Sequence, residues 1–388
     1  MTSADRWLLP DGIDEVLPPE ALQVERLRRR LLDRFDTWGY DLVIPPALEY
    51  LDSLLTGAGK DLDLRTFKVT DQLSGRLMGL SADTTSQVAR IDAHSFARDG
   101  VSRLSYCRTV FHAQASSLLA SRTPMQIGAE LYGEAGQGAD VEIISLMLDT
   151  LMTAELPTLH LDLGHVGVFR ALADKAGISN EQQQALFTLL KLKCTTDLDA
   201  WAEREVQEPT LVEAFKLLTR LQGDRQCLLD AIARLTELVP ETASELQRLQ
   251  QVAEQVSQRF PMIPLYFDLT ELRGYDYHTG LVFAAYVPGY GDAVAQGGRY
   301  DDTGAVFGRA RAATGFSADL KVLAQFSQAA CQSTVSVLAP ASDDPQLWTV
   351  IQQLRAQGKR VLVQLNDDTI SADASLQFLD GQWQLVEA

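Results

Sequence analysis

The chain has 388 residues, with 52 Asp+Glu against 34 Lys+Arg, giving a formal net charge of −18 at pH 7. Hydrophobic residues make up 46% and charged residues 22%, which excludes whole-chain disorder and leaves room for one large domain with one or two smaller ones. Phosphate backbones are bound by clustered cations, so this charge speaks against a DNA- or tRNA-binding protein unless a local basic patch exists.

The segment MTSADRWLLPDGIDEVLPPE mixes acids and prolines and does not read as a signal peptide. No run reaches the roughly 18 apolar residues of a membrane span, so a cytoplasmic protein without membrane contact is expected. After Pro18 and Pro19, the residues Val24, Leu27, Leu31, Phe35 and Trp38 step by three and four, predicting an amphipathic helix stopped by Gly39. YDLVI at 40–44 reads as a short strand ended by Pro45 and Pro46. FKVTD (67–71) and GRLMGL (75–80) suggest a hairpin, followed by a helix start for which Ser81, Asp83 and Thr84 are plausible caps. RLSYCRTVFHA (103–113) and TPMQIGAELYG (123–133) have strand composition, 139–156 is helical, and LHLDLGHVGVF (159–169) reads as a strand. From Arg170 to about Phe260 the text is rich in Leu, Gln, Glu and Ala, predicting a helical insertion. PLYFDL, LVFAAYV and QGGRYDDTGAVFG return to strands and loops, and the tail from about Thr334 reads strand, helix, strand, hairpin. This order fits α+β around an antiparallel sheet better than a regular βαβ alternation.

Cys107, Cys194, Cys227 and Cys331 form no CxxC pair, and the five histidines form no HExxH set, so neither a metal site nor a disulfide framework is expected. No P-loop motif occurs, and no cofactor is expected. Three stretches carry polar residues that strand composition does not require. LSADTT at 80–85 is followed by Gln87 and Arg90. In MQIGAELYG, Gln126 and Glu130 are four apart and share a strand face with Gly128, which suggests a lined cavity; a strand facing solvent would show the same spacing. In ELRGYDYHTG and QGGRYDDTG, an arginine sits beside glycines with Tyr275, Tyr277, His278 and Tyr300. Such a set suits a small zwitterion, with arginine for a carboxylate and tyrosine as a flat wall.

RGYDYHTG with AQGGRYD, placed after a helical insertion, resembles the two signatures of histidyl-tRNA synthetase, usually RGLDYYTG and AGGRYD. GYDLVIPPALEY resembles the first class II synthetase motif, with Pro46 and Glu49 in place, an element of the dimer interface in that family. The resemblance covers about residues 8–325. It implies a class II synthetase-like antiparallel sheet core at 1–169 and 261–330, a helical insertion at 170–260, and a short C-terminal α/β segment at 331–388, reduced relative to an anticodon-binding domain.

Departures from the family pattern bear on activity. Its FRxE becomes FHAQ, with His112 in place of the arginine that binds the ATP α-phosphate and Gln114 in place of the acid. LRPEGT becomes LSADTT, with Ser81 for arginine and Asp83 for glutamate, and in GFSADLKVL Val322 stands where the third motif has its arginine. Adenylate formation depends on fixed cations around the phosphorus, and losing one such donor costs about 3–4 kcal/mol. The resemblance therefore implies neither ATP chemistry nor tRNA recognition, unless Arg108, Arg122, Arg309 or Arg311 has been recruited.

By the same resemblance the amino-acid side persists: Asp83, Thr85 and Gln126 toward the ammonium group of histidine, Glu130 and the Tyr277–His278 pair toward the imidazole, Arg273 toward the carboxylate, and Tyr300 nearby. His278 replaces the second tyrosine of the family signature. These residues could equally satisfy one another in a buried network. A histidine pocket without activation chemistry resembles the regulatory subunits of ATP phosphoribosyltransferase. Membership there implies a non-catalytic chain, self-associated as a dimer, that pairs with a short-form catalytic subunit, is required for its activity and mediates feedback by histidine. The alternative is a diverged histidyl-tRNA synthetase-like ligase or protein-modifying paralogue.

Overall fold

The computed structural model describes residues 7–56, 60–115, 117, 120–271, 274, 277–328, 335–366 and 370–387. Its residues cluster into two compact units, Met1–Gln328 and Ala329–Ala388.

The first unit is built on a nine-stranded sheet. In chain order its strands are β1 (Asp41–Leu42), β5 (Ser102–Thr109), β6 (Met125–Tyr132), β7 (His160–His165), β8 (Gln222–Gly223), β9 (Leu265–Asp268), β10 (Leu281–Tyr286), β11 (Ala295–Arg299) and β12 (Ala313–Asp319). The intervening β2 (Leu48–Tyr50), β3 (Lys68–Thr70) and β4 (Leu77–Leu80) form a separate antiparallel sheet. The large sheet runs β1-β5-β6-β12-β11-β10-β7-β9-β8. Its six central strands, β5 to β7 in that order, are all antiparallel, and β1 and β9 join them in parallel. This is the α+β arrangement expected of the sequence, and the 68–70/77–80 hairpin forms as read.

One face of the sheet carries the main core. The helix Gln137–Thr153 is apolar nearly all round, with Val141, Ile143, Ile144, Leu146, Met147, Leu148 and Leu151 buried, as suits a helix packed on several sides. The helix Glu20–Thr37 adds Val24, Leu27, Leu31 and Phe35, the stripe its spacing predicts.

Three local expectations are corrected. Of 40–44, only Asp41 and Leu42 are strand, because Pro45 and Pro46 end the pairing after Val43 N–H donates to the Ser105 carbonyl. The VGVF stretch is not strand: the helix Val166–Ala176 begins there, with the His165 ring accepting from Gly167 N–H and with Val166, Phe169, Leu172 and Ala173 buried at helical spacing. The 170–260 region is helical apart from β8, which pairs with β9 at the sheet edge.

The second unit has four strands, β13 (Ser336–Ala339), β14 (Arg360–Val363), β15 (Ala374–Leu379) and β16 (Gln382–Glu387), in the order β14-β13-β15-β16. The helix Pro345–Ala356 packs Leu347, Ile351 and Leu354 onto Val337, Ala339, Val361, Ala374 and Leu376, a core of its own. Asp344 caps this helix at Gln346 N–H and accepts from the Trp383 indole at 2.7 Å.

Candidate functional site

Directly opposed residues of an antiparallel pair share a face. The register therefore places Gln126, Gly128, Glu130 and Tyr132 of β6 on the same face as Tyr106 of β5, as Gly315 and Ser317 of β12, and through them as Gly298 of β11. The glycines are required by close approach. A Cβ at Gly315 would overlap the Glu130 carboxylate, one at Gly128 would meet the Tyr106 ring, and one at Gly298 would meet the His278 ring.

Glu130 lies at the bottom of this face, 1% exposed. Tyr106 donates to its Oε1 at 3.1 Å and Tyr300 donates to its Oε2. Tyr132 sits 3.3 Å from the Tyr300 hydroxyl, and Tyr277 stacks on Tyr300 with ring centroids 4.8 Å apart. Burial drives the Glu130 carboxyl up to about 8, against the lowering effect of its phenol donors. The four phenols are themselves held well above their ordinary range, by burial first and by Glu130 second.

Above this floor lies a half-buried rim. Gln126 bridges it: its amide donates to Asp83 Oδ1 at 2.8 Å and its carbonyl accepts from Thr84 N–H at 2.9 Å. Thr85 N–H and hydroxyl also reach Asp83 Oδ1, at 3.1 and 3.2 Å, and the hydroxyl lies 3.5 Å from Tyr106. Of the caps expected for the Thr85–Arg90 helix, Asp83 is the one whose side chain accepts a first-turn amide, whereas Ser81 donates to Gln87 Oε1 and Thr84 makes no side-chain cap bond. His278 packs edge-on to Tyr277 at 5.4 Å. Asp83, Thr85, Gln126, Glu130, Tyr277, His278 and Tyr300 are thus brought into one connected cluster. Arg273, with Tyr275, lies outside the described residues.

Sequence reasoning missed Tyr106 and Tyr132. The register between SYCR and QIGA, which sets a tyrosine across from Gly128, is the signal that finds Tyr106. The arginine of GGRYD, Arg299, faces away: it pairs with the fully buried Asp140 at 2.8 Å and with Asp301 at 3.1 Å.

The neighbouring positions that differ from the synthetase pattern carry no free cation among the described residues. His112 Nε2 lies 3.0 Å from the Ala82 carbonyl, and the Arg65 guanidinium lies 2.9 Å from Nε2 and 3.3 Å from Nδ1 of the same ring. Desolvation, and then Arg65, push its pKa down to about 4, so it is neutral at pH 7. Val322 packs against the main core. The other arginines are occupied. Arg108 donates to the Pro45 and Pro46 carbonyls at 2.8 and 2.7 Å, and Arg122 to the His112 and Asp11 carbonyls at 2.9 and 3.0 Å. Arg311 pairs with Asp92 at 2.9 Å, and Arg309 reaches the Arg98 carbonyl at 2.5 Å. Among the described residues no group of three or more His, Cys, Asp or Glu is arranged to hold a metal, and no helix is long and apolar enough to cross a membrane.

Comparison with known proteins bears on the family and the fold. Residues 12–323 match the family described as histidyl-tRNA synthetase, and residues 334–386 match the ATP phosphoribosyltransferase subunit HisZ C-terminal domain. An ATP phosphoribosyltransferase regulatory subunit of Pseudomonas paraeruginosa is 53% identical, covering 100% of this chain and 99% of its own. One of Azotobacter vinelandii is 51% identical with the same coverage. Among solved structures, an ATP phosphoribosyltransferase regulatory subunit/histidyl-tRNA synthetase from Bacillus halodurans C superposes with a TM-score of 0.83 at 26% identity, covering 94% of each chain. Histidyl-tRNA synthetase from Nostoc sp. PCC 7120 shares the fold, with a TM-score of 0.80 at 17% identity over 98% of this chain and 97% of its own.

Proposed function

Since this chain belongs to the family of ATP phosphoribosyltransferase regulatory subunits, we propose that it serves L-histidine biosynthesis as the non-catalytic partner of a short-form ATP phosphoribosyltransferase catalytic subunit. In this reading it is required for that subunit's activity and relays feedback by histidine from the synthetase-like pocket. The chain pairs with itself as a dimer, works in the cytoplasm and neither charges nor binds tRNA. The synthetase-like core spans 1–169 and 261–330, interrupted by the 170–260 insertion and followed by the 331–388 segment.

The observation that carries the reading is the contrast between two neighbouring sets of residues. On the amino-acid side, Glu130 is buried among phenols with Asp83, Thr85 and Gln126 above it. This set is suited to an imidazole below and an ammonium group at the rim. At the family's nucleotide-arginine positions stand a neutral His112 and an apolar Val322, while Arg108 and Arg122 are turned onto backbone carbonyls. Without cations at the positions where the family carries them, an adenylate-forming transition state lacks its main stabiliser. The match of residues 12–323 to the histidyl-tRNA synthetase family is what the ligase alternative has in its favour, and the missing cations at these positions speak against it.

The test mixes this chain with the short catalytic chain of the same organism and follows phosphoribosyl-ATP formation. Activity that appears on mixing and falls on adding histidine is the expected result. Unchanged activity on mixing defeats the partner assignment, and ATP–pyrophosphate exchange driven by any amino acid defeats the non-catalytic one.

A further inference from the structure

The signature segment that carries Tyr277 and His278 is gripped at both flanks by the helical insertion. At its start, β9 ends in Asp268, which is 5% exposed and pairs in register with Gln222 of β8. Asp268 Oδ1 accepts from Thr270 N–H at 2.8 Å and from the Thr270 hydroxyl at 2.6 Å. Its Oδ2 accepts from Lys193 Nζ at 2.9 Å. Lys193 also donates to Gln222 Oε1 at 3.3 Å, the Gln222 amide donates to Thr270 Oγ1 at 3.2 Å, and Leu269 N–H donates to the Leu221 carbonyl at 3.3 Å. At the other flank, Arg170 of the helix Val166–Ala176 donates to the His278 carbonyl at 2.8 Å. The donors Lys193, Gln222 and Arg170 all belong to the insertion, and none belongs to the cluster around Glu130.

A buried carboxylate is costly unless paired, so the end of β9 depends on the Lys193 ammonium. The second flank holds the backbone at His278 itself, whose ring packs edge-on to Tyr277 of the cluster. We propose that Lys193, Gln222 and Arg170 are positioning residues for the pocket, through which the placement of the insertion sets the affinity for histidine. This deepens the histidine reading and rests on it. It also means that whatever displaces the insertion is coupled to ligand binding, because any shift that loosens these contacts must be reversed when histidine binds.

Calorimetric titration of histidine into the full chain tests this, with wild type, Lys193→Ala, the double variant Lys193→Ala/Gln222→Ala, Arg170→Ala and Lys193→Arg, each alongside its ligand-free melting temperature. The expected result is a fall in affinity of roughly 5- to 20-fold for the double variant and a smaller fall for Lys193→Ala, within the usual range of coupling energies. Lys193→Arg is expected to recover wild-type affinity. The Lys193 side chain is 57% exposed, so the single variant retains its fold and decides the matter if the double variant does not. A wild type that binds while Lys193→Ala and the double variant bind within twofold of it overturns the positioning role. A drop in melting temperature with unchanged affinity also overturns it, since it leaves the contacts a structural role only. A wild type that gives no heat with millimolar histidine overturns the histidine reading and this inference with it.

Discussion

A carboxyl group whose two oxygens are given to Tyr106 and Tyr300 has little left for water, and Glu130 has none to give, being 1% exposed. If Glu130 faces the imidazole as proposed, replacing it with Ala is expected to weaken histidine binding by about 2–3 kcal/mol, with its phenol donors left unpaired. Calorimetry checks this, and unchanged affinity would place the imidazole elsewhere. The same residue makes stability depend on pH. Burial holds the folded carboxyl near 8, while the unfolded chain releases that proton near 4.5. Between these values the folded state binds more protons than the unfolded one, so stability falls as pH rises. Scanning calorimetry from pH 5 to 8.5 should show wild type losing stability relative to Glu130→Gln, by on the order of a few kcal/mol. A pH-independent difference would mean that Glu130 is ionised throughout. His112 works in the opposite direction. Its folded pKa lies near 4 against 6.5 unfolded, so the unfolded state binds the extra proton and stability is lost as pH falls through that window. Reverting it by His112→Arg would set a permanent cation beside Arg65, which is 2.9 Å away. A lower melting temperature, by about 3–5 kcal/mol of stability for an uncompensated buried charge, and no ATP–pyrophosphate exchange are expected. Exchange activity appearing in that variant would show that one missing arginine is all that separates the chain from a ligase.

At the scale of elements, the cluster around Glu130 packs closely because three strands bring glycines to one place. Gly315→Ala would drive a methyl group into Glu130 from the paired position on β12. The expected outcome is about 1–3 kcal/mol of destabilisation by overpacking, together with loss of histidine binding. A variant that melts and binds like wild type would mean that β6 and β12 can separate without cost. Much of this was readable beforehand. The four-residue spacing of Gln126 and Glu130 about Gly128 and the 68–70/77–80 hairpin follow from strand periodicity and turn chemistry, and the two signatures after the insertion from family resemblance. What could not be read depends on register and on contacts distant in sequence. Tyr106 looks like an ordinary strand aromatic until it is set across from Gly128. The link between Arg65 and His112 joins residues 47 apart. Val166 to Phe169 carry β-branched and aromatic residues that read as strand, yet they become helix because His165 caps the turn and the core accepts helical spacing. In β8, two residues with no strand signal of their own are recruited by the exposed edge of β9.

For the whole molecule, feedback is a statement about linkage between sites that need not touch. If the activity of a mixed assembly falls with histidine, the affinity of this chain for histidine must differ between the active and inhibited assemblies by the same factor that histidine changes their balance. Couplings of this type usually amount to about 1–3 kcal/mol, or roughly 5- to 150-fold. Two titrations measure that factor independently: histidine into the chain alone, and histidine into the chain saturated with the catalytic subunit. The two dissociation constants are expected to differ by at least about fivefold. Their ratio should match the shift that saturating histidine causes in the affinity of the two chains for each other, read by sedimentation or interferometry. Equal constants would mean that histidine bound to this chain cannot be the inhibitory signal, however tightly it binds, and would move the sensing site to the catalytic subunit or to the interface. The second unit offers a separate control. Its core of Val337, Leu347, Ile351 and Val361 is distinct from the one beneath the pocket, and every candidate ligand residue lies before Gln328. A chain ending at Gln328 is therefore expected to bind histidine with unchanged affinity. Lost coupling to the catalytic subunit in that truncated chain, with histidine binding intact, would assign the transmission of the signal to residues 329–388. Intact coupling would leave it with the first unit.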